Sequence, residues 1–264
     1  MISADNGWEQ TPKIRLSLNG YNRPPVLNRP VTSYPPPDFK YQELYFDISS
    51  NQLSKKPIDT VQTTSYNAEA RGTDCSRFEF KFNAYTELCG FSKARLFMST
   101  PDHDDMDVFV VLKKLDASGT TVEHFNIPFK DLPSGTTAAD IPQNNIFRYV
   151  GPNGRLRASH RAVRPEPGLS AEQRGLMSEA YVWHPHDQVE KLGRGEIVEL
   201  EISLWAGGMV FDAGEGMVLE VSGFLGVRPE FEELSETLVN VNVGTHVIHA
   251  GGKYPSSFLV ALSA

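Results

Sequence analysis

Strict alternation of apolar and polar residues is the feature that most constrains the fold of this chain. In EIVELEISLW, residues 196–205, one face carries Val198, Leu200, Ile202 and Leu204. A period of two is what a strand with one buried face requires, whereas an amphipathic helix repeats every 3.6 residues. The stretch therefore predicts a β-strand that covers an apolar core.

The same alternation returns in short segments along the chain. Turn-forming residues separate these segments, as in DASGT and DAGEG. Helical patterns are scarce, with short candidates at 170–177 and 229–238. Many short strands with turns between them favour an all-β fold, a jelly-roll (galactose-binding-like) β-sandwich. The predicted strands are 41–48, 77–83, 93–99, 107–115, 196–205, 216–223 and 257–262.

The first 40 residues differ from the rest in composition. Residues 12–40 are irregular and rich in proline, and three consecutive prolines hold part of this stretch extended. The pattern predicts one short strand, KIRLSL, within a connector that leaves one body and enters another. We expect the apolar side chains of this strand to form an exposed patch that favours association, namely Ile14, Leu16 and Leu18.

Composition argues against several classes of partner. The chain has 264 residues and a formal net charge of −8, which argues against nucleic acid or anionic lipid as a partner. No apolar run reaches the roughly 20 residues of a membrane helix, and the N-terminus lacks signal-peptide features. Localisation stays unassigned, although the only cysteines, Cys75 and Cys89, are expected to be free thiols, which favours a reduced, cytoplasmic setting.

The sequence contains none of the common catalytic signatures. The nucleophile elbow G-x-S-x-G of α/β-hydrolases is absent, as are the phosphate-binding loop G-x-x-x-x-G-K-[ST], H-E-x-x-H and C-x-x-C. We therefore expect no catalytic residue, no cofactor and no metal site in this chain.

Three polar stretches remain as candidate sites. HPHD, residues 184–187, would place two imidazoles on one side, a geometry that metals use, but no third ligand has a diagnostic spacing. A structural role is favoured, with Asp187 capping a turn. PDHDDMD, residues 101–107, lacks the glycine and final glutamate of an EF-hand, which favours a solvated turn over a calcium loop. GRLRASHRAVR, residues 154–164, is more simply an arginine-bearing edge strand than a site for phosphate or acid.

Longer stretches of the chain resemble one family in a fixed order. They are DNGWEQTPKIRLSLNG, SKARLFMSTPDHDDMDVFVVLKKL, GRLRASHRAV, WHPHDQVEKLGRGEIVELEISLW and THVIHAGGKYPSSFLVAL. Together they resemble the C-terminal β-sandwich of X-Pro dipeptidyl-peptidases and of cocaine-esterase-like (CocE/NonD) acyl hydrolases, over almost the whole chain. One segment departs from the family, VSGFLGVRPEFEELSETLVNVNVG, so no role is transferred to it.

The resemblance implies a division of labour between two domains. In this family an upstream α/β-hydrolase domain carries the Ser-His-Asp triad. Residues 1–40 would then be the exit of that domain and a linker, and residues 41–264 would be the sandwich. The implied function is to shape and cover an active site for peptide, ester or amide hydrolysis, without activity of its own. The implied partner is the α/β-hydrolase domain, and a second copy of the chain is a further candidate.

The family also places one segment of the sandwich against the hydrolase pocket. The matching segment here is VQTTSYNAEARGTDC, residues 61–75, in which Tyr66 is the only aromatic residue. Such a polar loop would gate a pocket by hydrogen bonds and shape, with Tyr66 facing the substrate. A solvated surface loop without substrate contact is the alternative.

Two other functions stay open on the sequence alone. The chain could be a stand-alone carbohydrate- or ligand-binding module, because jelly rolls bind sugars and aromatic side chains stack on sugar rings. Fold analogy is a weak argument for such a role. The chain could also be a non-functional gene fragment. The aromatic candidates for stacking are Trp183, Trp205 and Tyr254.

Overall fold

A computed structural model describes residues 7–34, 36–70, 74–225 and 240–263. In these ranges nearly all regular structure is β, and the one α-helix is α1 (Ala171–Gly175). The strands are β1 (Ile14–Leu18), β2 (Val26–Val31), β3 (Phe39–Asp47), β4 (Gln52–Ser54), β5 (Gln62–Asn67), β6 (Ser76–Lys81), β7 (Thr86–Ser99), β8 (Asp107–Leu115), β9 (Thr121–Val122), β10 (His124–Phe125), β11 (Arg148–Tyr149), β12 (Asn153–Arg157), β13 (Val198–Phe211), β14 (Gly216–Ser222), β15 (Thr245–Ala250) and β16 (Ser257–Ser263).

The predicted all-β fold is confirmed, and each predicted strand coincides with an observed one. Several observed strands, such as β5 and β15, were not predicted. Another difference is length, because β13 continues past the predicted end at 205 to Phe211, through a bulge between Leu204 and Gly207. The bulge interrupts the alternation, so the sequence pattern stops there while the strand does not. The helical prediction at 170–177 is confirmed by α1, whereas the one at 229–238 lies outside the described residues.

The strands form the two layers of a β-sandwich. One layer has the order β12-β8-β14-β6, with β9 paired to β8. In the other layer, β7 pairs with β13 along one edge and with β16 and β15 along the other edge. Beyond them, β16 pairs with β3 and β15 pairs with β5. A single parallel bridge between Gln52 of β4 and Glu79 of β6 links the two layers.

The apolar core lies between these layers. Leu96 and Leu200 face it from one layer, and Val110 and Leu219 face it from the other. All four side chains are fully buried. Burying a side chain of this size contributes about 1.5–3 kcal/mol. The apolar positions of the alternating pattern therefore mark the buried face of each strand.

The first two strands form a hairpin that packs on the sandwich. Leu18 is fully buried against Cys89 and Val210, and Leu16 is partly buried beside them. The expected exposed patch is therefore wrong for these residues. The reason lies in β13, where a Cβ on Gly208 would stand only 2.7 Å from the Leu18 side chain. Glycine at that position lets the hairpin approach closely.

A buried ion pair fastens the same hairpin to the sandwich. Lys114 of β8 is fully buried, and its Nζ lies 2.8 Å from Glu215 Oε2. The ammonium donates to the carbonyl oxygens of Gly20 and Val210 at 3.1 and 2.7 Å. Glu215 also accepts from Asn22 Nδ2 at 2.6 Å. Burial would raise the pKa of Glu215, but the donors, Lys114 above all, outweigh burial and hold that pKa below its usual value.

Both cysteines are free thiols, as predicted. Cys89 is buried under the hairpin, and burial raises the pKa of its thiol to about 11. Burial also raises the pKa of Cys75, which is half-buried. Both side chains are therefore thiols rather than thiolates at neutral pH, and so are poor nucleophiles.

Candidate functional site

The three polar stretches singled out in the sequence lie together around one pocket. The pocket has a volume of about 500 Å³, which is within the range of small-molecule sites. It lies on the outer face of β8 and β12, which carries Asp107, Phe109, Arg155 and Arg157, whereas Val108 and Leu156 between them face the core. Its lining residues are Asp107, Val108, Phe109, Arg155, Leu156, Arg157, His160, His184, His186, Phe224, Leu225 and Asn240.

The HPHD stretch forms one wall of this pocket and is held by its first histidine. His184 Nε2 lies 2.9 Å from the carbonyl oxygen of Glu201, and Nδ1 lies 3.2 Å from that of Ala162. These contacts support the structural interpretation of His184. The expected turn cap is wrong, because Asp187 accepts instead from the guanidinium of Arg164 at 2.7 Å.

The acidic stretch 101–107 is not a solvated turn throughout. Asp105 is 2% exposed and accepts from the backbone amides of Ser159 and Met106 at 2.9 and 3.0 Å. Lys191 Nζ lies 3.2 Å from the same carboxylate. Burial would raise the pKa of Asp105, but these donors, Ser159 first, hold the pKa below its usual value. The side chain therefore stays ionised and fixes the loop to the wall of the pocket.

The basic stretch contains an edge strand, as predicted, since β12 ends the order of its layer. Arg157 donates to Asp107 through Nε and Nη2, each at 2.8 Å. Asp107 Oδ2 also accepts from the amide of Val241 at 2.9 Å. Arg155, two residues earlier, is exposed and forms no salt bridge with any residue in the described ranges. In the described part of the pocket, the charge of Arg157 is thus compensated by Asp107, whereas the charge of Arg155 has no acidic partner.

The histidines of the pocket do not form a metal centre. No three His, Cys, Asp or Glu side chains are grouped to hold a metal ion anywhere in the described part of the chain. The His160 and His186 rings lie 5.2 Å apart between centroids. Burial, followed by the neighbouring His160 and His184, lowers the pKa of His186.

No helix formed by the described residues is long and apolar enough to cross a membrane.

Tyr66 lies away from this pocket, in the core. The segment 61–75 was expected to be a loop, but Gln62–Asn67 forms strand β5, paired with β15. Tyr66 is 2% exposed, and its hydroxyl lies 3.1 Å from Nδ1 of the fully buried His246. The expected loop is therefore wrong for this half of the segment. A substrate-facing role for Tyr66 stays a prediction.

The aromatic residues considered for sugar stacking do not line the pocket either. Trp205 is 75% exposed on β13. Tyr254 packs against Phe97 and His249, with ring centroids 5.7 and 5.4 Å apart. The aromatic rings that do line the pocket, Phe109 and Phe224, were not singled out by the sequence.

Comparison with known proteins adds a family to this geometry. Residues 6–259 match the family described as X-Pro dipeptidyl-peptidase C-terminal non-catalytic domain. A CocE/NonD family hydrolase from Staphylococcus aureus is similar in structure, with 27% identity and a TM-score of 0.76 over 98% of this chain. An aminopeptidase from a marine sediment archaeon, a thaumarchaeote, shares the fold, with 13% identity and a TM-score of 0.59 over 96% of this chain. No curated protein matches the sequence.

The two solved structures are longer than this chain. The chain spans 43% of the Staphylococcus aureus hydrolase and 41% of the archaeal aminopeptidase. More than half of each relative therefore lies outside the region of similarity.

Proposed function

Because the chain belongs to the family of X-Pro dipeptidyl-peptidase C-terminal non-catalytic domains, we propose that it serves as the accessory domain of a serine hydrolase. Its partner is an α/β-hydrolase domain, which supplies the Ser-His-Asp triad for hydrolysis of peptides, esters or amides. The sandwich shapes and covers the active site of that partner. The single observation that carries this proposal is the family match over residues 6–259.

The absence of a nucleophile elbow from the sequence agrees with an accessory role. A serine nucleophile in an α/β-hydrolase stands on a strained turn between a strand and a helix. The sequence has no G-x-S-x-G. The domain division proposed with this function assigns residues 1–40 to the exit of the hydrolase domain and the linker, and residues 41–264 to the sandwich.

We expect no turnover from this chain alone. The purified chain would be incubated with an aryl ester and with an X-Pro anilide, and then with a fluorophosphonate that labels active serines. Turnover that is abolished by the fluorophosphonate would overturn the proposal.

A chimera tests the accessory role directly. The chain would replace the similar 43% of the Staphylococcus aureus hydrolase, behind that enzyme's own remaining part. We expect kcat/KM for an aryl ester to exceed that of the truncated enzyme at least tenfold, because a covering domain excludes water and orients substrate. The matched control joins an unrelated β-sandwich at the same point. Equal activity of both chimeras and the truncated enzyme would contradict a covering role.

The same chimera tests the prediction for Tyr66. Since Tyr66 is buried against His246, truncation to alanine would leave a cavity and confuse stability with specificity. Tyr66→Phe removes only the hydroxyl. If β5 shapes the substrate pocket, the ratio of kcat/KM between acetyl and benzoyl esters should change at least threefold. An unchanged ratio would leave Tyr66 as a core residue alone.

A further inference from the structure

The pocket on the outer face of β8 and β12 has features of a binding site for a ligand of its own. Its volume of about 500 Å³ would enclose a molecule of roughly the size of a substituted aromatic acid. None of the candidate residues for hydrolysis or sugar binding lies in it. The pocket thus involves residues other than those considered above.

The charges around the pocket favour an anion. Among the described residues of the lining, Asp107 is the one acidic group, and the bidentate contact with Arg157 compensates its charge. Arg155 stays uncompensated within the described residues. Arg155 is thus the one guanidinium of the described lining without an acidic partner, and it can balance one negative charge on a ligand.

The binding geometry also favours a planar anion. Arg157 is held by Asp107 through Nε and Nη2. Asp107 is held in turn, because its carboxylate accepts from the Val241 amide and its backbone amide donates to Asn242 at 2.7 Å. A guanidinium fork pairs best with a flat carboxylate. Arg155, on the same edge strand, can offer that fork to a ligand.

Part of the remaining lining is apolar. Two aromatic rings, Phe109 and Phe224, border the same space together with Leu225. An apolar ring or chain of a ligand would bury this apolar surface and gain binding free energy. A ligand without an apolar part would leave the surface exposed and gain little. Val108 and Leu156 turn their side chains into the buried core, so the aliphatic side chain available to a ligand is that of Leu225.

We propose that this pocket binds an apolar monocarboxylate, with its carboxylate at Arg155 and its apolar part against Phe109 and Phe224. The carboxylate belongs either to a free acid or to the C-terminus of a peptide with an apolar last residue. His160, His184 and His186 line the same pocket.

The probe is 3-phenylpropionate, tested on the whole chain by isothermal titration calorimetry. We expect binding in the range of about 10 µM to 1 mM, and at least tenfold weaker binding of the neutral 3-phenylpropionamide, because the amide lacks the charge-assisted bond. Arg155→Gln should weaken the acid at least tenfold. The control is Arg77→Gln, an arginine of β6 that pairs with Glu220 and is not part of the lining; it should leave affinity unchanged.

Two further arms identify the source of the carboxylate. Gly-Gly-Phe with a free C-terminus is compared with its C-terminal amide. Binding of the free peptide alone identifies a peptide end, and binding of only 3-phenylpropionate identifies a small acid; both results support the proposal. Equal binding of acid and amide, tighter binding of phenyl phosphate, retention of affinity in Arg155→Gln, or no binding of any probe at 5 mM would each overturn it.

Histidine resonances provide a second readout in the same experiment. Among the described residues, the charged or titratable neighbours of the ligand space are His160, His184, His186, Arg155, Arg157 and Asp107. A bound carboxylate should raise the pKa of His186, which burial lowers in the free chain, because a nearby negative charge stabilises the imidazolium. An NMR titration with and without 3-phenylpropionate should therefore show an upward shift, and 3-phenylpropionamide should produce none.

Discussion

Replacing Lys114 with methionine is expected to lower the free energy of unfolding by about 3–5 kcal/mol, the typical effect of breaking a buried ion pair. The substitution would leave the Glu215 carboxylate, which is 6% exposed, without its ammonium partner. It would also remove the donor that reaches Gly20 and Val210. Urea unfolding followed by tryptophan fluorescence measures the loss.

Lys113 offers a matched control in the same strand. Its Nζ lies 2.6 Å from Glu220, but both side chains keep contact with water, so Lys113→Met should cost less than about 1 kcal/mol. The double variant Lys114→Met/Glu215→Gln should recover part of the loss, because no charge is then left buried without a partner. If Lys113→Met and Lys114→Met had equal effects, the buried pair would not be a main contributor to stability.

Acidification from pH 6.5 to pH 4 is expected to remove about 3 kcal/mol of stability through His246 alone. Burial lowers the pKa of this histidine from 6.5 to about 4. Between these values the unfolded chain binds the proton and the folded chain does not, so stability rises with pH. The contribution is complete above pH 6.5 and is lost as the pH falls towards 4.

The comparison that isolates this effect uses Tyr66→Phe as the reference, because the Tyr66 hydroxyl is the partner of the His246 ring. Adding His246→Phe to that reference should flatten the dependence of unfolding free energy on pH between 6.5 and 4. The control is His103→Asn, at a partly exposed histidine beside Asp104. This substitution should leave the dependence of unfolding free energy on pH unchanged. Identical pH slopes with and without His246 would contradict the assignment.

The strands could be predicted because their information is local. Val198, Leu200 and Ile202 mark the buried face of β13 within five residues, and all three are at most 6% exposed. For β8 the predicted bounds, 107–115, are also the observed ones. What alternation could not reveal was that Lys114, at the end of β8, is buried, because its partner Glu215 is about a hundred residues away.

The pocket could not be predicted for the same reason. Its walls come from three stretches that the sequence marked separately, around residues 107, 157 and 184, and only tertiary packing unites them. Each stretch alone favoured a structural interpretation. Phe109 carries no local signal, because an aromatic residue in an alternating strand reads as an ordinary core residue.

The docked hairpin has a consequence for the order in which the molecule folds. Asn22 and Glu215 are 193 positions apart, and Arg23 meets Asp212 across 189 positions. During synthesis the hairpin leaves the ribosome long before β13 and the Asp212–Glu215 turn exist. Contacts of such high sequence separation form slowly. Leu18 therefore stays uncovered until most of the chain has been made, and in that interval it is open to chaperones and to other nascent chains.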